Sequence, residues 1–219
     1  MGHWDHYLTL VNFLKAKKSA LREGTPLYVG EEAFIERFSR EADGNVVSMG
    51  RLERSEIEAL GCVRIVETKE PTALVPGAFF SGNIDMVTEY EKVAPRLVLK
   101  RGDQFVQDVF PGERAVVLNL KGGGLVVLSG CAHRGIVNAV KQAQKITGIN
   151  RVHAVVGGFH LTGTRPEVIQ RTVTDMKAIG PSYIVPTHCT GFQAIQTFAK
   201  DMPDQFVFSA VGTRFTFAA

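Results

Sequence analysis

The sequence predicts an α+β protein in which helices pack against the faces of β-sheets. Residues 115–120 and 125–128 are apolar runs joined by Lys121-Gly122-Gly123-Gly124, which is a hairpin signal. Two further β-branched runs follow at 152–156 and 183–185. Helical patterns separate these later runs, and a strand followed by a helix is the repeating unit of a helix-covered sheet.

Other parts of the chain give weaker patterns. We expect a helix over 10–21 whose lysines form a solvated face, and a strand at 63–67. The remaining expectations are a strand at 26–29, a helix at 31–38, a loop over 45–60, an exposed excursion over 89–107, helices at 136–143, 167–179 and after 191, and edge strands at 205–208 and 214–217.

Size and composition predict one globular domain over residues 1–219. The chain is 45% hydrophobic and 21% charged, which suits a protein with a sizeable core. It has neither an apolar run of about 20 residues for a membrane helix nor a signal-peptide pattern. We therefore expect no membrane association.

Charge and cysteine usage narrow the expected partners. The net charge is +3, and the basic residues are scattered rather than grouped in a stripe that could follow a nucleic-acid backbone. A mild positive balance suits a small anionic substrate. Three cysteines without a CxxC pattern predict a reducing compartment, which we take to be the cytoplasm. The oligomeric state stays open.

The opening residues hold the densest group of metal-binding side chains. His3, Asp5 and His6 lie within four positions. Neutral imidazole and carboxylate are ligands that zinc and similar ions accept. The alternative is a frayed terminus or the remnant of a tag.

Three later motifs also carry histidines. They are Ser129-Gly130-Cys131-Ala132-His133, Gly157-Gly158-Phe159-His160 and Pro186-Thr187-His188-Cys189. Each follows an apolar run, and open α/β sheets bind ligands where their strands end. A lone histidine there is usually structural, as we expect for His153 at the beginning of its strand. Three repeats favour a shared site.

Together these motifs resemble the metallo-β-lactamase superfamily. The amino-acid sequences of residues 128–138, 157–161 and 187–191 resemble those of one branch, the dihydropterin ribofuranosyl-aminobenzene 5'-phosphate synthases and related hydrolases. The resemblance implies an αββα sandwich holding one or two divalent ions, with zinc expected first and manganese or iron as alternatives. It assigns His3 and His133 to the first metal, and Asp5, His6 and His188 to the second.

The opening motif departs from the superfamily signature. That signature begins with a histidine where this chain has Met1, and the family's N-terminal strands precede it. A methionine thioether is a poor substitute for imidazole toward zinc. We expect either a truncated start or a shortened variant with a weakened metal site.

Several residues receive further roles. Asp5 is expected to accept a proton from water. His160 either ligates a metal or acts as a catalytic proton donor and substrate contact, because the branch lacks the bridging aspartate there. Arg134 and the helix start after it are expected to contact an anion. Asn83 belongs to a segment that is expected either to line the substrate pocket or to form a hairpin turn. Cys131 and Cys189 are interpreted as packing residues.

Three function classes remain. The first is a metal-dependent hydrolase that acts on a phosphoester, diphosphate or related small anion. The second is a transferase that condenses a pterin diphosphate with an aryl phosphate. The third is a metal-poor, inactive member that binds a nucleotide-like ligand.

Overall fold

The computed structural model describes residues 3–217, which divide into two compact units. The first unit comprises the described residues up to Lys69 together with Val93–Gly112. The second comprises Glu70–Lys92 and the described residues from Glu113 onwards. Met1, where the superfamily signature begins, lies outside the described residues.

The described chain contains twelve strands and six α-helices. In order they are α1 (Trp4–Tyr7), α2 (Leu10–Lys17), β1 (Thr25–Gly30), β2 (Arg37–Arg40), β3 (Val46–Ser48), α3 (Arg54–Leu60), β4 (Val63–Thr68), β5 (Thr72–Val75), β6 (Ala78–Phe80), β7 (Leu97–Arg101), β8 (Gln104–Gln107), β9 (Ala115–Leu120), β10 (Gly124–Ser129), α4 (Ile136–Thr147), β11 (Val152–Gly158), α5 (Pro166–Ile179), β12 (Tyr183–Thr187) and α6 (Phe192–Asp201). No helix among residues 3–217 is both long and apolar enough to cross a membrane.

The first unit contains two small sheets. Strands β1 and β4 pair in parallel, and α2 and α3 supply the buried Leu14 and Ile57 of a compact apolar cluster. The other sheet has the order β3-β2-β7-β8 and is antiparallel. A buried ion pair supports it, because Arg37 Nε lies 2.7 Å from Asp108 Oδ2 and both side chains are almost fully buried.

The second unit is built on a six-stranded sheet of order β12-β11-β10-β9-β6-β5. Strands β10, β11 and β12 are parallel neighbours, whereas β9, β6 and β5 add to them as antiparallel strands. Helix α4 joins β10 to β11, and α5 joins β11 to β12. The parallel half therefore has both of its crossover connections made by helices, as parallel strands require.

Helix α4 shows how the sequence determines this packing. Ile136, Val137, Val140 and Ala143 recur at helical spacing, and all four are fully buried. The helix ends at Gly148, which takes a left-handed conformation (φ 68°) that a residue without Cβ adopts easily. The apolar stripe packs into the core that includes Val127 of β10 and Val155 of β11.

The later strands and helices are confirmed, whereas several assignments elsewhere are wrong. The predicted helix at 31–38 is a turn leading into β2, and the predicted loop at 45–60 contains β3 and α3. The excursion at 89–107 contains β7, whose first three residues are buried. The predicted edge strands at 205–208 and 214–217 are absent from the described residues, apart from one bridge between Phe206 and Ile184.

Removing a buried aromatic ring from the second unit should destabilise it strongly. Phe198 of α6 is fully buried and makes an edge contact with Phe159, the ring centroids being 5.6 Å apart. We expect Phe198→Ala to lower the free energy of unfolding by about 3–5 kcal/mol, because a large cavity remains. Phe192→Ala on the same helix is the control, since Phe192 is 75% exposed. Equal losses in chemical denaturation of the two variants would contradict this packing.

Candidate active site

Three parallel strands end side by side, and each is followed by a predicted site histidine. His133 comes after β10, His160 after β11 and His188 directly after β12. Because β11 lies between β10 and β12 in the sheet, the three loops are neighbours at its carboxyl edge. This is the position where sheets of this kind bind ligands.

The backbone of these loops is unusual. Ala132, His160 and His188 have positive φ angles of 56°, 47° and 49°. Non-glycine residues rarely adopt this conformation, which costs of order 1–3 kcal/mol and persists only where the surroundings hold it. All three histidine loops therefore contain a residue that its surroundings must hold.

The loops also approach one another too closely for side chains at two glycines. A Cβ on Gly157 would lie 2.0 Å from Ser129 O, and one on Gly158 would lie 2.3 Å from Gly130 O. The amide of Gly158 donates a hydrogen bond to Gly130 O at 3.1 Å. Direct backbone contact thus joins the loop after β10 to the end of β11.

Two threonines connect the loop after β11 to the loop after β12. Thr190 Oγ1 accepts a hydrogen bond from the Phe159 amide at 3.1 Å and donates one to Thr187 O at 2.6 Å. Thr162 Oγ1 donates to Cys189 O at 2.8 Å. These bonds fix the two loops relative to each other.

His133 and His160 form the centre of this edge. Their ring centroids are 3.9 Å apart, and His133 is only 4% exposed. His160 Nδ1 is buried and has no hydrogen-bond partner among the described residues. Cys131, His133 and His160 each offer a ligand atom within 4.8 Å of the others'. This donor set fits a divalent metal ion that accepts nitrogen and sulfur.

A buried carboxylate holds the loop that carries His133. Glu113 is 2% exposed and accepts hydrogen bonds from the amides of His133 and Arg134, at 2.8 and 2.6 Å. Burial raises the pKa of the Glu113 carboxyl, while the two backbone bonds oppose that shift. Glu113 thus fixes the loop backbone without occupying the donor atoms of His133.

A second buried carboxylate caps α4. Glu91 accepts hydrogen bonds from the amides of Val137 and Asn138, both at 2.9 Å, and from the Thr88 hydroxyl. A Cβ on Gly135 would lie 2.2 Å from Glu91 Oε2. Burial raises the pKa of Glu91, against the lowering effect of these bonds.

This cap corrects part of the anion prediction. The first-turn amides of Val137 and Asn138 were expected to be open to a substrate anion, but they are bonded to the protein's own Glu91. Arg134 Nε donates to Ile84 O at 2.7 Å, so part of its guanidinium positions a neighbouring segment. An anion contact through the rest of Arg134 stays a prediction.

The pKa of the Cys189 thiol is strongly lowered. Its thiol lies 3.6 Å from Cys131 O. A hydrogen bond with the Cys131 side chain, opposed by burial and aided by His160, lowers the pKa of Cys189 to about 5. None of the three cysteines forms a disulfide. The sequence analysis took both Cys131 and Cys189 for packing residues.

The opening cluster lies in the first unit. His3 precedes α1, is 3% exposed and meets the ring of Phe110 edge-on at a centroid distance of 5.1 Å. Asp5 and His6 follow within α1, with His6 Nε2 at 3.7 Å from Asp5 Oδ2. Of the three side chains, only that of His3 is buried. Their assignment as metal ligands, and that of Asp5 as a base, stay predictions.

The predicted substrate segment is exposed in part. Asn83 faces solvent, and Asp85 Oδ2 lies 2.8 Å from Lys145 Nζ on α4. Strands β5 and β6 just before it pair as a hairpin. Contact between Asn83 and substrate stays a prediction.

Sequence reasoning missed Glu91 and Glu113. Each accepts hydrogen bonds from backbone amides at least 20 positions further along the chain. No local motif marks such a contact. Cys131 was visible beside His133, but a single thiol near a histidine is more often a packing residue.

Comparisons with known proteins bear on the fold and the family. No protein-family model matches the chain. A curated relative, the 7,8-dihydropterin-6-methyl-4-(beta-D-ribofuranosyl)-aminobenzene-5'-phosphate synthase of Methanocaldococcus jannaschii, is 31% identical over 209 residues, 94% of this chain and 69% of the relative. An uncharacterised protein of the same organism is 26% identical over 216 residues, 96% of this chain and 74% of that protein.

A solved structure extends this likeness to three dimensions. The crystal structure of a metal-dependent hydrolase of the β-lactamase superfamily matches with a TM-score of 0.77 and 24% identity. The match covers 90% of this chain and 73% of that one. The fold class predicted from the sequence is confirmed.

Stability should depend on the protonation of Glu91. Because its pKa is raised above the ordinary 4.5, its contribution to the free energy of unfolding is largest below that value and is lost as the pH rises through the folded-state pKa. We expect wild type to gain stability relative to Glu91→Gln on acidification from about pH 7 to about pH 4. Chemical denaturation across this range measures the difference.

Glu89→Gln serves as the matched control, because the Glu89 side chain is 93% exposed. Its difference from wild type should stay nearly constant over the same range. A Glu91→Gln difference that is flat, or that grows with rising pH, would contradict the burial argument.

Proposed function

Because the chain belongs to the metallo-β-lactamase superfamily, in the branch of the dihydropterin ribofuranosyl-aminobenzene phosphate synthases, we propose that it is a metal-dependent hydrolase of a small phosphoester or diphosphate. One observation carries this proposal. Cys131, His133 and His160 bring three donor atoms within 4.8 Å at the carboxyl edge of parallel strands.

The proposed metal is zinc, with manganese or iron as alternatives. A bound divalent ion polarises the scissile oxygen and lowers the pKa of a water molecule to about 7. The ligand set that the resemblance assigns is His3, Asp5, His6, His133 and His188. In this proposal Asp5 accepts the proton of the attacking water.

Residues of the second unit would position the His133 imidazole and the substrate. Glu113 keeps the His133 loop in place through two backbone bonds, so that the imidazole is positioned before substrate arrives. Arg134, whose Nε donates to Ile84 O, would contact the substrate's phosphate. Asn83, exposed in the segment before Ile84, would contact the rest of the substrate.

A transferase is the second candidate, and the named relative favours it. That relative is a synthase and shares 31% of aligned residues with this chain. In this version the protein would join a pterin diphosphate to an aryl phosphate, with loss of diphosphate. The hydrolase would release diphosphate from the pterin diphosphate alone, whereas the transferase would release it only when the aryl phosphate is present.

Metal dependence is tested first by removing one ligand. We expect His133→Ala to lower zinc affinity by about 10- to 100-fold or more, since even residues behind metal ligands contribute that much. His153→Ala is the control, because His153 packs against the Tyr183 ring near the beginning of β11. Metal content by plasma mass spectrometry after dialysis reports the difference. Equal metal content in both variants and wild type would refute a role for His133.

Substrate chemistry is tested on the zinc-loaded wild type. Diphosphate or phosphate release from a pterin diphosphate and simple phosphoesters is followed with and without an aryl phosphate acceptor. Release without acceptor supports the hydrolase, and release that requires acceptor supports the transferase. Neither activity in a metal-loaded protein would favour the inactive ligand-binding member.

A further inference from the structure

We infer that Cys131 is itself a metal ligand and forms, with His133 and His160, a thiolate–imidazole site carried wholly by the second unit. This inference rests on the proposed metal dependence but differs from the ligand set that the resemblance assigns, because it gives His133 the partners Cys131 and His160 in place of His3. It also assigns ligation to His160, for which the sequence left ligation and proton donation open.

The distances suit such a site. Ligand atoms of the three residues all lie within 4.8 Å of one another. In a tetrahedral zinc site with the usual Zn–S and Zn–N bonds, neighbouring ligand atoms are about 3.3–3.6 Å apart. Small side-chain rotations close this difference, because all three residues lie in loops at the ends of adjacent strands.

The backbone between Cys131 and His133 is shaped for this convergence. Ala132 has a φ of 56°, which bends the chain between the two ligands. Glu113 stabilises the bend by accepting the amides of His133 and Arg134. A packing cysteine needs neither the strained alanine nor a buried carboxylate behind it.

Burial supports ligation as well. Cys131 is 2% exposed and His133 is 4% exposed, and His160 Nδ1 is buried without a partner among the described residues. Burial by itself keeps a thiol neutral, so ionisation of Cys131 for ligation requires a cation beside it. A divalent ion supplies that charge and gives the buried imidazole nitrogen a partner.

The donor types restrict the metal. One sulfur and two nitrogens suit zinc, and cobalt or iron(II) in its place, whereas magnesium, calcium and manganese prefer oxygen. Three protein ligands leave a fourth position open, as catalytic zinc sites do. We therefore expect zinc, and not manganese, to be the resident ion at this position.

Cobalt substitution tests the sulfur ligand directly. Wild type loaded with Co²⁺ should show an intense thiolate-to-cobalt charge-transfer band in the near ultraviolet. Cys131→Ser should lose the band, while Cys189→Ser, the matched control at the neighbouring thiol, should keep it. A band that persists in Cys131→Ser would overturn the inference.

The outcomes in wild type separate this inference from the proposed function. Cobalt bound without a charge-transfer band would overturn sulfur ligation and leave a metal-dependent enzyme. No binding of cobalt or zinc at all would overturn both. Zinc affinity gives a second readout, and Cys131→Ser should weaken it by at least about 10-fold.

A measurement on wild type guards against a variant that fails to fold. Trypsin places the three cysteines in separate peptides, because Lys121 and Arg134 flank Cys131, Lys177 and Lys200 flank Cys189, and Arg54 and Arg64 flank Cys62. Zinc should slow alkylation of Cys131 by about 10-fold or more, since the bound thiolate is no longer the free nucleophile. A chelator should restore the rate.

The alkylation map names the thiol involved. Protection of Cys131 supports the inference. Zinc-dependent protection of Cys189 alone, or of neither of the two thiols, would overturn it. Cys62, buried in the apolar cluster of the first unit, reports whether zinc changes thiol access in general.

Discussion

Parallel pairing of β10, β11 and β12 is the constraint on which the second unit depends. Parallel strands end at the same edge of a sheet, so residues that follow different strands lie close together there even when they are far apart in the sequence. His133, His160 and His188 are separated by crossover helices, and the ladder alone makes their loops adjacent. The buried stripe of α4 holds that ladder in place.

Two buried carboxylates hold the loops by hydrogen bonds, as hydrogen bonds between strands hold the sheet. Glu113 and Glu91 give partners to backbone amides at the turn after β10 and at the beginning of α4. Burial raises the pKa of both groups, which is the cost of keeping a charge away from water. The hydrogen bonds from the loop amides oppose that cost, and they help to hold in place the nearby Ala132, whose positive φ angle is itself unfavourable.

The sequence predicted the second half of the chain well, for a physical reason. Strands such as β11 and helices such as α5 bury long periodic stripes, and these stripes are visible in one dimension. The first half contains short elements, such as β3 and β7, whose formation depends on partners elsewhere in the chain. Arg37 lies in the helix predicted at 31–38, whereas in the structure it belongs to β2, pairs with Leu99 of β7 and bonds to Asp108.

The site residues also divide into those that the sequence reveals and those whose contacts depend on distant parts of the chain. His133 and His160 were recognisable because glycine-rich motifs after apolar runs mark strand ends. The nearness of His160 to Cys131 was not, because it depends on the pairing of β10 with β11 rather than on residue type. The cap by Glu91 was likewise invisible, and an open helix start was predicted where a carboxylate lies.

The segment between β6 and β7 combines anchored residues with exposed ones. Ser81 bonds to the Ala115 amide and Gln142, and the amides of Val87 and Thr88 bond to Asn138. Asn83 and Asp85 project between these anchors into solvent. Exposed positions tolerate exchange within about 0.5 kcal/mol. Divergence can therefore accumulate at these positions without unfolding the scaffold, because the hydrogen bonds at the two ends of the segment hold it in place whichever residues occupy its exposed positions.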